Sequence, residues 1–362
     1  MARFILFTKT FWDEPPRLRH QFAELLAGAG HEVLFFEKPT SSGRARRQVI
    51  QRAPNIASVQ HQELLHHKLR LTPMLQRANA AVTIRSIAAR LPQRPVDAGD
   101  VVICFNYDYW FLRRLFPQNQ IITVINDDFI CVALFGYTKP LLWALERTCA
   151  QSNRVLTVSV PLQKQLAPYS DPELFLPWAD RPYRAPAPSD DRHILLFWGY
   201  TNRRIEFGAV GRIADRLAAT RPDIRIVFVG PVVGSVQDQV DELKTRGNIQ
   251  FRPSAKLDEL PLDQVLAAYI PYRPHDLEID AITLSNKALQ LLARGLPLLI
   301  SGLPSLPNFV QAPFVLRLDY HEPERQVDQL RAQFHCLQDE IAAFVSDNGP
   351  DTRLRQLVGA AG

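Results

Sequence analysis

The stretch from Ser285 to Gln290 places a positive charge at a predicted helix start that opens with capping residues. Ser285 and Asn286 are suited to a helix N-terminus, whose free N–H groups and dipole attract anions. Lys287 in the first turn costs on the order of 0.3 to 1 kcal/mol unless an anion lies beside it. Gln290, one turn further, shares its face and could bind a hydroxyl group. The pattern indicates a diphosphate site, with an ordinary capped helix and a solvent-exposed lysine as the alternative.

A pair of carboxylates, Asp127 and Asp128, follows the apolar run of "ITVINDDF". Neighbouring carboxylates raise one another's pKa, which suits a general base that removes a proton from a hydroxyl group. We slightly favour Asp127 for this role, and the alternative is that an aspartate caps the next helix. Reserve candidates that also follow predicted strands are Asp13, Glu14 and Asp108.

Several common functional motifs are missing from the sequence. "FTKTFWDEPPR" stands where a G-x-G-x-x-G would follow the first strand, and no G-x-x-x-x-G-K-[ST] occurs. There is no strand-flanked D-x-D and no His, Cys and carboxylate cluster with metal-ligand spacing. We therefore expect neither a nicotinamide cofactor nor a bound metal. RNA-binding, zinc-finger and helix-turn-helix patterns are also absent, so nucleic acid is not an expected partner.

The elements that must position these residues alternate between strand and helix patterns. "RFILFT", a helix over Arg17 to Ala29 and "HEVLFFE" open the chain as a βαβ unit, and a second series begins at "HILLFWGY". We predict an α/β protein with a doubly wound domain over 1–178, a proline-rich linker over 179–191 and a second such domain over 192–325. A helical segment follows over 326–362, and packing back onto the first domain is one option for it. His20 is expected on a helix surface.

The distribution of charge and the length of the apolar runs limit where in the cell the protein is expected to act. The 42 Lys and Arg outnumber the 37 Asp and Glu only slightly. A solvated helical face, an anionic membrane surface and a phosphorylated acceptor would each explain the N-terminal cluster of Arg44, Arg46, Arg47, Arg52, Lys68, Arg70, Arg77 and Arg85. No apolar run approaches the ~20 residues of a transmembrane helix. We expect a cytoplasmic protein that touches membrane at most peripherally.

The scattered Cys104, Cys131, Cys149 and Cys336 are expected to be small buried hydrophobes.

The second half of the chain resembles the GT-B glycosyltransferases of bacterial exopolysaccharide assembly. The matching segments, in order, are "GYTNRRIE", "IRIVFVGP", "GNIQFRPSAKLDELP", "AAYIPYRP" and "LSNKALQLLARGLPLLISGLPSL". "FWDEPPRLRHQFAELLAGAGHEVLFFEKP" is similar to their entry segment. The resemblance implies a GT-B fold of two Rossmann-like domains facing each other across a cleft. The first would bind the acceptor and the second a nucleotide sugar.

The helix near Lys287 departs from the pattern of two glutamates that many of these enzymes carry. Gln290 occupies the later glutamate position and Ile282 the earlier one. The set of Tyr272, Ser285, Lys287 and Gln290 is similar in type and spacing to the UDP-binding set of the xanthan-type (GumK-like) glucuronosyltransferases. By that resemblance Lys287 neutralises the diphosphate, Ser285 and Tyr272 bind phosphate oxygens, and Gln290 holds the ribose or phosphate.

Four further residues are donor-site candidates from their positions. Gly199 follows a strand and leaves room for a ligand, with a simple turn as the alternative. Arg204 matches an arginine that is common in the family and could bind the pyrophosphate, although a surface arginine at a helix start is as plausible. Pro253 and Ser254 stand where relatives hold the nucleobase, or they form a plain turn.

These observations together predict a metal-independent, inverting transfer of a sugar, glucuronate being one option, from a UDP-sugar. The expected acceptor is a polyprenyl-diphosphate-linked glycan, and the region "HHKLRLTPMLQRANAAVTIRSIAARL" is expected to rest on the inner membrane. Two alternatives stay open. One is a non-catalytic scaffold of the same fold, and the other is a nucleotide-sugar epimerase.

Overall fold

A computed structural model describes residues 2–14, 17–41, 48–91, 96–131, 133, 135–303 and 312–359. The chain divides into two compact units. The first unit comprises the residues up to Phe175 together with those from Leu354, and the second runs from Leu176 to Arg353. Three members of the basic cluster, Arg44, Arg46 and Arg47, lie outside the described residues.

A sheet of eight described strands forms the centre of the first unit, in the order β3-β4-β2-β1-β5-β6-β7-β8. The strands are β1 (Arg3–Phe7), β2 (Glu32–Phe36), β3 (Ile50–Ala53), β4 (Ile56–Val59), β5 (Val101–Cys104), β6 (Gln120–Ile125), β7 (Arg154–Thr157) and β8 (Pro172–Leu174). Neighbours pair in parallel except β3, which is antiparallel to β4. All four residues of β5 are buried, as expected for a parallel strand that is covered on both faces.

Two helices of the first unit begin at residues whose side chains satisfy a free backbone N–H group. The Thr72 hydroxyl accepts from the Leu75 N–H, and the Ser159 hydroxyl accepts from the Leu162 N–H. Such caps, with a proline in the first turn, favour a helix start. The helices are α1 (Leu18–Gly28), α2 (Pro73–Ala88), α3 (Leu112–Leu115), α4 (Lys139–Cys149) and α5 (Val160–Leu166).

The second unit has its own sheet of six described strands, all parallel, in the order β11-β10-β9-β12-β13-β14. The strands are β9 (Ile194–Trp198), β10 (Arg225–Val229), β11 (Ile249–Arg252), β12 (Val265–Pro271), β13 (Leu298–Ser301) and β14 (Val315–Arg317). The helices are α6 (Phe207–Thr220), α7 (Gln237–Lys244), α8 (Leu277–Asp280), α9 (Asn286–Leu292), α10 (Pro323–Gln333) and α11 (Gln338–Asp347). Residues 179–191, the predicted linker, contain no helix or strand and belong to this unit.

The residues after 326 are divided between the two units. In the second unit, α10 packs on α6, and the Arg216 guanidinium pairs with Glu324 at 2.6 Å. The last helix, α12 (Pro350–Val358), brings Leu354 and the residues after it into the first unit. There the Arg154 guanidinium donates to the carbonyl oxygens of Gln356 and Leu357 at 2.9 and 3.1 Å.

Two burial expectations from the sequence are wrong. His20 is buried, because the segment after β1 covers the start of α1: its ring stacks on Phe35, and its Nδ1 accepts the Arg17 N–H at 3.0 Å. Burial lowers the pKa of His20 below its usual value. Cys336 is exposed because it lies in the turn between α10 and α11, whereas Cys104 and Cys149 are buried as expected.

Each sheet has a point at which the strand order reverses. In the first unit the chain leaves β1 toward β2 on one side and returns to β5 on the other. In the second unit the chain leaves β9 toward β10 on one side and returns to β12 on the other side of β9. Loops that follow such strand pairs diverge, so an opening forms beyond their carboxyl ends, where ligands of these sheets bind.

Candidate functional site

The opening beyond β9 and β12 depends on two glycines. Gly199 follows β9 with φ of +129°, and Gly230 follows β10 with φ of +142°. A Cβ atom on Gly230 would lie 2.2 Å from the Gly199 carbonyl oxygen, so only glycine permits this approach of the two strand ends. The compact backbone leaves space beyond the strands.

A cavity of about 590 Å³ occupies this space in the second unit. Four of the predicted donor-site residues line it, namely Gly199, Arg204, Tyr272 and Lys287. The other lining residues are Trp198, Tyr200, Asn202, Arg203, Val233 and Ser235. The lining thus includes three cationic side chains and no carboxylate, which favours an anionic ligand.

Lys287 is held over aromatic rings instead of by an acidic partner. Its Nζ lies 4.2 Å from the centroid of the Phe197 ring and 5.5 Å from that of Tyr272. The ring faces attract the ammonium group through their quadrupoles. In the part of the chain that the structure describes, no carboxylate forms an ion pair with Lys287. The ammonium charge is therefore available to a ligand.

Ser285, Asn286 and Gln290 do not line the cavity. Ser285 caps α9, because its hydroxyl accepts the Ala288 N–H at 3.3 Å. The Asn286 Oδ1 and the Gln290 Nε2 are buried and have no hydrogen-bond partner in the described structure. Buried amide groups of this kind are usually satisfied. Of the four candidates at the start of α9, Lys287 is therefore the one that lines the cavity.

Pro253 and Ser254 are exposed after β11 and also lie outside the cavity lining. The next residue connects their loop to the cavity, since the Trp198 indole N–H donates to the Ala255 carbonyl oxygen at 3.0 Å. Trp198 itself lines the cavity. The two residues thus neighbour the wall without forming it.

Sequence reasoning missed Arg203, although it stands directly beside Arg204. The Asn202 side-chain oxygen accepts the Arg204 N–H at 3.0 Å, and Ile205 bridges to Tyr272. This tight turn makes both arginines part of the cavity wall. The sequence feature that could have identified Arg203 is the pair of basic residues, Arg203 and Arg204, that follows Asn202 after strand β9.

The aspartate pair of the first unit is split into two environments. The Asp128 Oδ1 accepts the N–H groups of Ile130 and Cys131 at 3.1 and 2.9 Å, which is the capping role considered above. Asp127 is exposed. Burial lowers the pKa of Arg19 to about 10, and the Asp127 charge opposes that shift. Asp127 is therefore the more exposed member of the pair.

The reserve candidate Asp108 is unsuited to act as a base. Its carboxylate is buried, pairs with Lys9 at 2.6 Å and binds the Arg70 guanidinium at 2.9 Å. Burial by itself would raise the pKa of Asp108, but the charges of Lys9 and Arg70 outweigh burial and lower the pKa to about 2. Of the other two reserve carboxylates, Asp13 pairs with Arg52 and Glu14 with Arg17.

A buried glutamate that the sequence did not single out lies near Asp128. Glu146 is 5% exposed on α4, and the described structure gives its carboxyl group no ion pair. Burial, and then the charge of Asp128, raise the pKa of Glu146 to about 7. A carboxyl group that titrates near neutrality is a candidate for proton transfer.

The described residues contain neither a candidate metal site nor a membrane-spanning helix. No group of three or more His, Cys, Asp or Glu residues there is arranged to hold a metal ion. None of the described helices is long and apolar enough to cross a membrane.

Solved structures that share this architecture cover the whole chain. An alpha,alpha-trehalose-phosphate synthase (UDP-forming) from Burkholderia vietnamiensis aligns with a TM-score of 0.66 at 12% identity, over 100% of this chain and 97% of that one. An E. coli structure described as trehalose-6-phosphate bound with UDP-2-fluoro glucose gives 0.69 at 10%, over 99% of both chains. The lipopolysaccharide outer core galactosyltransferase WaaB in its apo form gives 0.63 at 12%, over 99% of both. No protein-family model and no curated protein matches the sequence. The chain therefore has the GT-B fold that the sequence predicts.

Proposed function

We propose that this chain is a UDP-sugar-dependent glycosyltransferase. The observation that carries the proposal is the cavity at the strand reversal of the second unit, where Lys287, Arg203 and Arg204 meet without a lining carboxylate. A diphosphate is the anion that such a wall fits. The UDP-forming and UDP-sugar-bound structures of the same fold support the choice of nucleotide.

In the proposed reaction an acceptor hydroxyl oxygen attacks the anomeric carbon of the donor sugar. The bond from that carbon to the UDP oxygen breaks, and UDP leaves with the added negative charge. Lys287, Arg203 and Arg204 would stabilise that charge, so we propose that no divalent ion is needed. Asp127 would take the hydroxyl proton as the exposed member of the pair. This route inverts the anomeric configuration.

The finer donor assignment rests on the side chains near Lys287. Tyr272 and Lys287 line the cavity, whereas Ser285 and Gln290, the other two residues of the set that resembles xanthan-type glucuronosyltransferases, lie outside its lining. A glucuronate carboxylate would be a further anion for the guanidinium groups. We therefore place UDP-glucuronate ahead of UDP-glucose.

We also propose that the acceptor is a lipid-linked glycan and that the protein acts at the surface of the inner membrane. The segment 64–75 exposes large apolar side chains, namely Leu64, Leu69, Met74 and Leu75. Exposed basic residues, Lys68, Arg77 and Arg85, accompany them. Arg52 and Arg70 do not contribute, since they pair with Glu37 and with Asp108. An apolar surface with basic neighbours binds anionic bilayers.

A thermal-shift panel with UDP, GDP, UDP-glucose and UDP-glucuronate tests the donor class. UDP-glucuronate should raise the melting temperature most and GDP least, and UDP release should require an acceptor lipid. The absence of a shift with every nucleotide would contradict the proposal.

The same panel separates the two alternatives. A non-catalytic scaffold would bind a nucleotide or nothing and release no UDP, and the loss of both family glutamates favours it. An epimerase would convert the UDP-sugar without an acceptor.

A further inference from the structure

A second cavity, of about 430 Å³, lies beyond the strand reversal of the first unit. Its walls include Lys9 after β1, Lys38 after β2 and Asn106 after β5. Lys68 and Arg70 reach it from the segment before α2. Four cationic side chains and one carboxylate, Asp108, therefore line this cavity.

Two of these cations already have acidic partners. Lys9 and Arg70 both contact Asp108, and Arg70 also pairs with Glu63 at 2.9 Å. Glu63, Arg70 and Asp108 are buried, so these residues and Lys9 form a largely buried ion cluster. Lys9, Arg70 and Asp108 of this cluster line the cavity. Such a cluster fixes the positions of its cations and balances their charges.

The other two cations are not balanced in this way. Neither Lys38 nor Lys68 forms an ion pair within the described ranges. The Lys38 Nζ lies 5.8 Å from the centroid of the Phe11 ring. The cavity wall thus carries two positive charges beyond those that Glu63 and Asp108 compensate.

His67 also lines this cavity. Burial, and then the charges of Lys9 and His66, lower the pKa of His67 to about 4. The ring is therefore neutral at physiological pH and offers a hydrogen-bonding nitrogen instead of a third free charge.

The lining of the cavity also includes aromatic and aliphatic side chains, namely Tyr107, Phe129, Phe135 and Leu142. Aromatic faces suit sugar rings and hydrocarbon chains, while the lysines suit an oxyanion.

We propose that this cavity binds a phosphate or diphosphate group of the acceptor, with Lys38 and Lys68 as its ligands. Naming it an acceptor site rests on the proposed function, but the binding of the anion does not. The phosphate could be carried by a sugar or by a prenyl lipid, and both carriers present the same oxyanion to the lysines.

Calorimetric titration of the full chain tests the proposal, with glucose 6-phosphate and farnesyl diphosphate as the two probes. Glucose and farnesol are the matched uncharged controls. We expect at least one phosphorylated probe to bind, its uncharged counterpart not to bind, and the double variant Lys38→Gln, Lys68→Gln to weaken binding at least tenfold. Which probe binds identifies the carrier.

The control variant is Lys164→Gln, an exposed lysine on α5 of the same unit, which should bind like the wild type. Melting temperatures of the variants confirm that they fold. The inference is overturned if neither probe binds, or if binding survives the double change. UDP affinity, measured in the same proteins, should not respond to the double change. A wild-type protein that binds a phosphorylated probe but not UDP would contradict the proposed function and support this site.

Discussion

A Cβ atom placed on Gly199 would lie 3.0 Å from the Lys287 Nζ. The glycine therefore defines the space in which the ammonium group sits. We expect Gly199→Ala to displace Lys287, to strain a backbone with φ of +129°, and to weaken UDP binding about tenfold or more, or about 1.4 kcal/mol. Calorimetry with UDP measures this. Gly247→Ala is the control, because its Cβ would meet nothing within 4 Å. Equal affinity in both variants would contradict the arrangement.

Removing the charge of Lys287 should reduce UDP affinity more than any other single change in the second unit. Charge-assisted hydrogen bonds contribute about 1.5–3 kcal/mol, so Lys287→Ala should raise the dissociation constant for UDP about 10- to 100-fold. Lys287→Arg should recover part of the loss. The exposed Lys256 supplies the matched control, Lys256→Ala, whose affinity should not change. Unaltered UDP binding in Lys287→Ala would remove α9 from the donor site.

The two neighbouring aspartates should respond differently to substitution. Asp127→Asn should lower the transfer rate by a factor of about 100 or more, as for a general base. Asp128→Ala should instead lower the free energy of unfolding by about 1–2 kcal/mol, because two N–H groups lose their acceptor. Asp128→Asn keeps an acceptor oxygen and should be close to wild type in stability. Urea unfolding and initial rates separate the two roles, and a reversed pattern would exchange them.

Glu146 should make the stability of the protein fall with rising pH. Its folded pKa of about 7 exceeds the ordinary value of 4.5, so the folded state holds this proton more tightly than the unfolded state does. The associated stability is fully present below pH 4.5 and is lost as the pH rises through 7. Glu146→Gln should therefore be more stable than the wild type at pH 8.5, by on the order of 3 kcal/mol, with little difference at pH 4.5.

Urea unfolding at the two pH values measures this difference. Glu340→Gln, at an exposed position on α11, is a control for a general effect of removing a carboxylate. A difference between Glu146→Gln and wild type that does not depend on pH would show that the carboxyl group is not titrating near neutrality.

Breaking the buried ion cluster should be costly. Asp108→Asn leaves Lys9 and Arg70 with only Glu63 as a counter-charge, and loss of one partner of a buried pair typically costs about 3–5 kcal/mol. The Asp108 pKa of about 2 lies below the ordinary 3.8, so this stability is present above pH 3.8 and is lost as the pH falls through 2. Asp13→Asn, at an exposed ion pair, should cost less than about 1 kcal/mol. Denaturant midpoints for both variants provide the comparison.

The sequence predicts the frame of the fold well because apolar runs and helix caps are local signals. The helix expected from Arg17 to Ala29 is observed as Leu18–Gly28. Neither the antiparallel β3 nor the short β8 was predicted from the sequence, because both strands depend on pairing with their neighbours. Such pairing is a tertiary effect that periodicity does not encode.

The residues of the candidate sites also fall into those that local sequence patterns predict and those that only the tertiary fold brings together. Gly199, Tyr272 and Lys287 follow strand ends or a helix start, so local pattern brings them to the cavity. The ion cluster of Lys9, Glu63, Arg70 and Asp108 joins residues that are distant along the chain, and no spacing rule predicts it. The raised pKa of Glu146 depends on burial, which a helical pattern alone does not give.

The bonds from Arg154 to the carbonyl oxygens of Gln356 and Leu357 have a practical consequence for dissecting the molecule. A gene fragment that stops at Phe175 would omit a structural part of the first unit. Proteolysis within 179–191 would nick the chain without releasing that unit, because the polypeptide still joins the second unit to α12. A permuted gene, in which residues 350–359 are fused ahead of β1, would be the appropriate way to produce the first unit by itself.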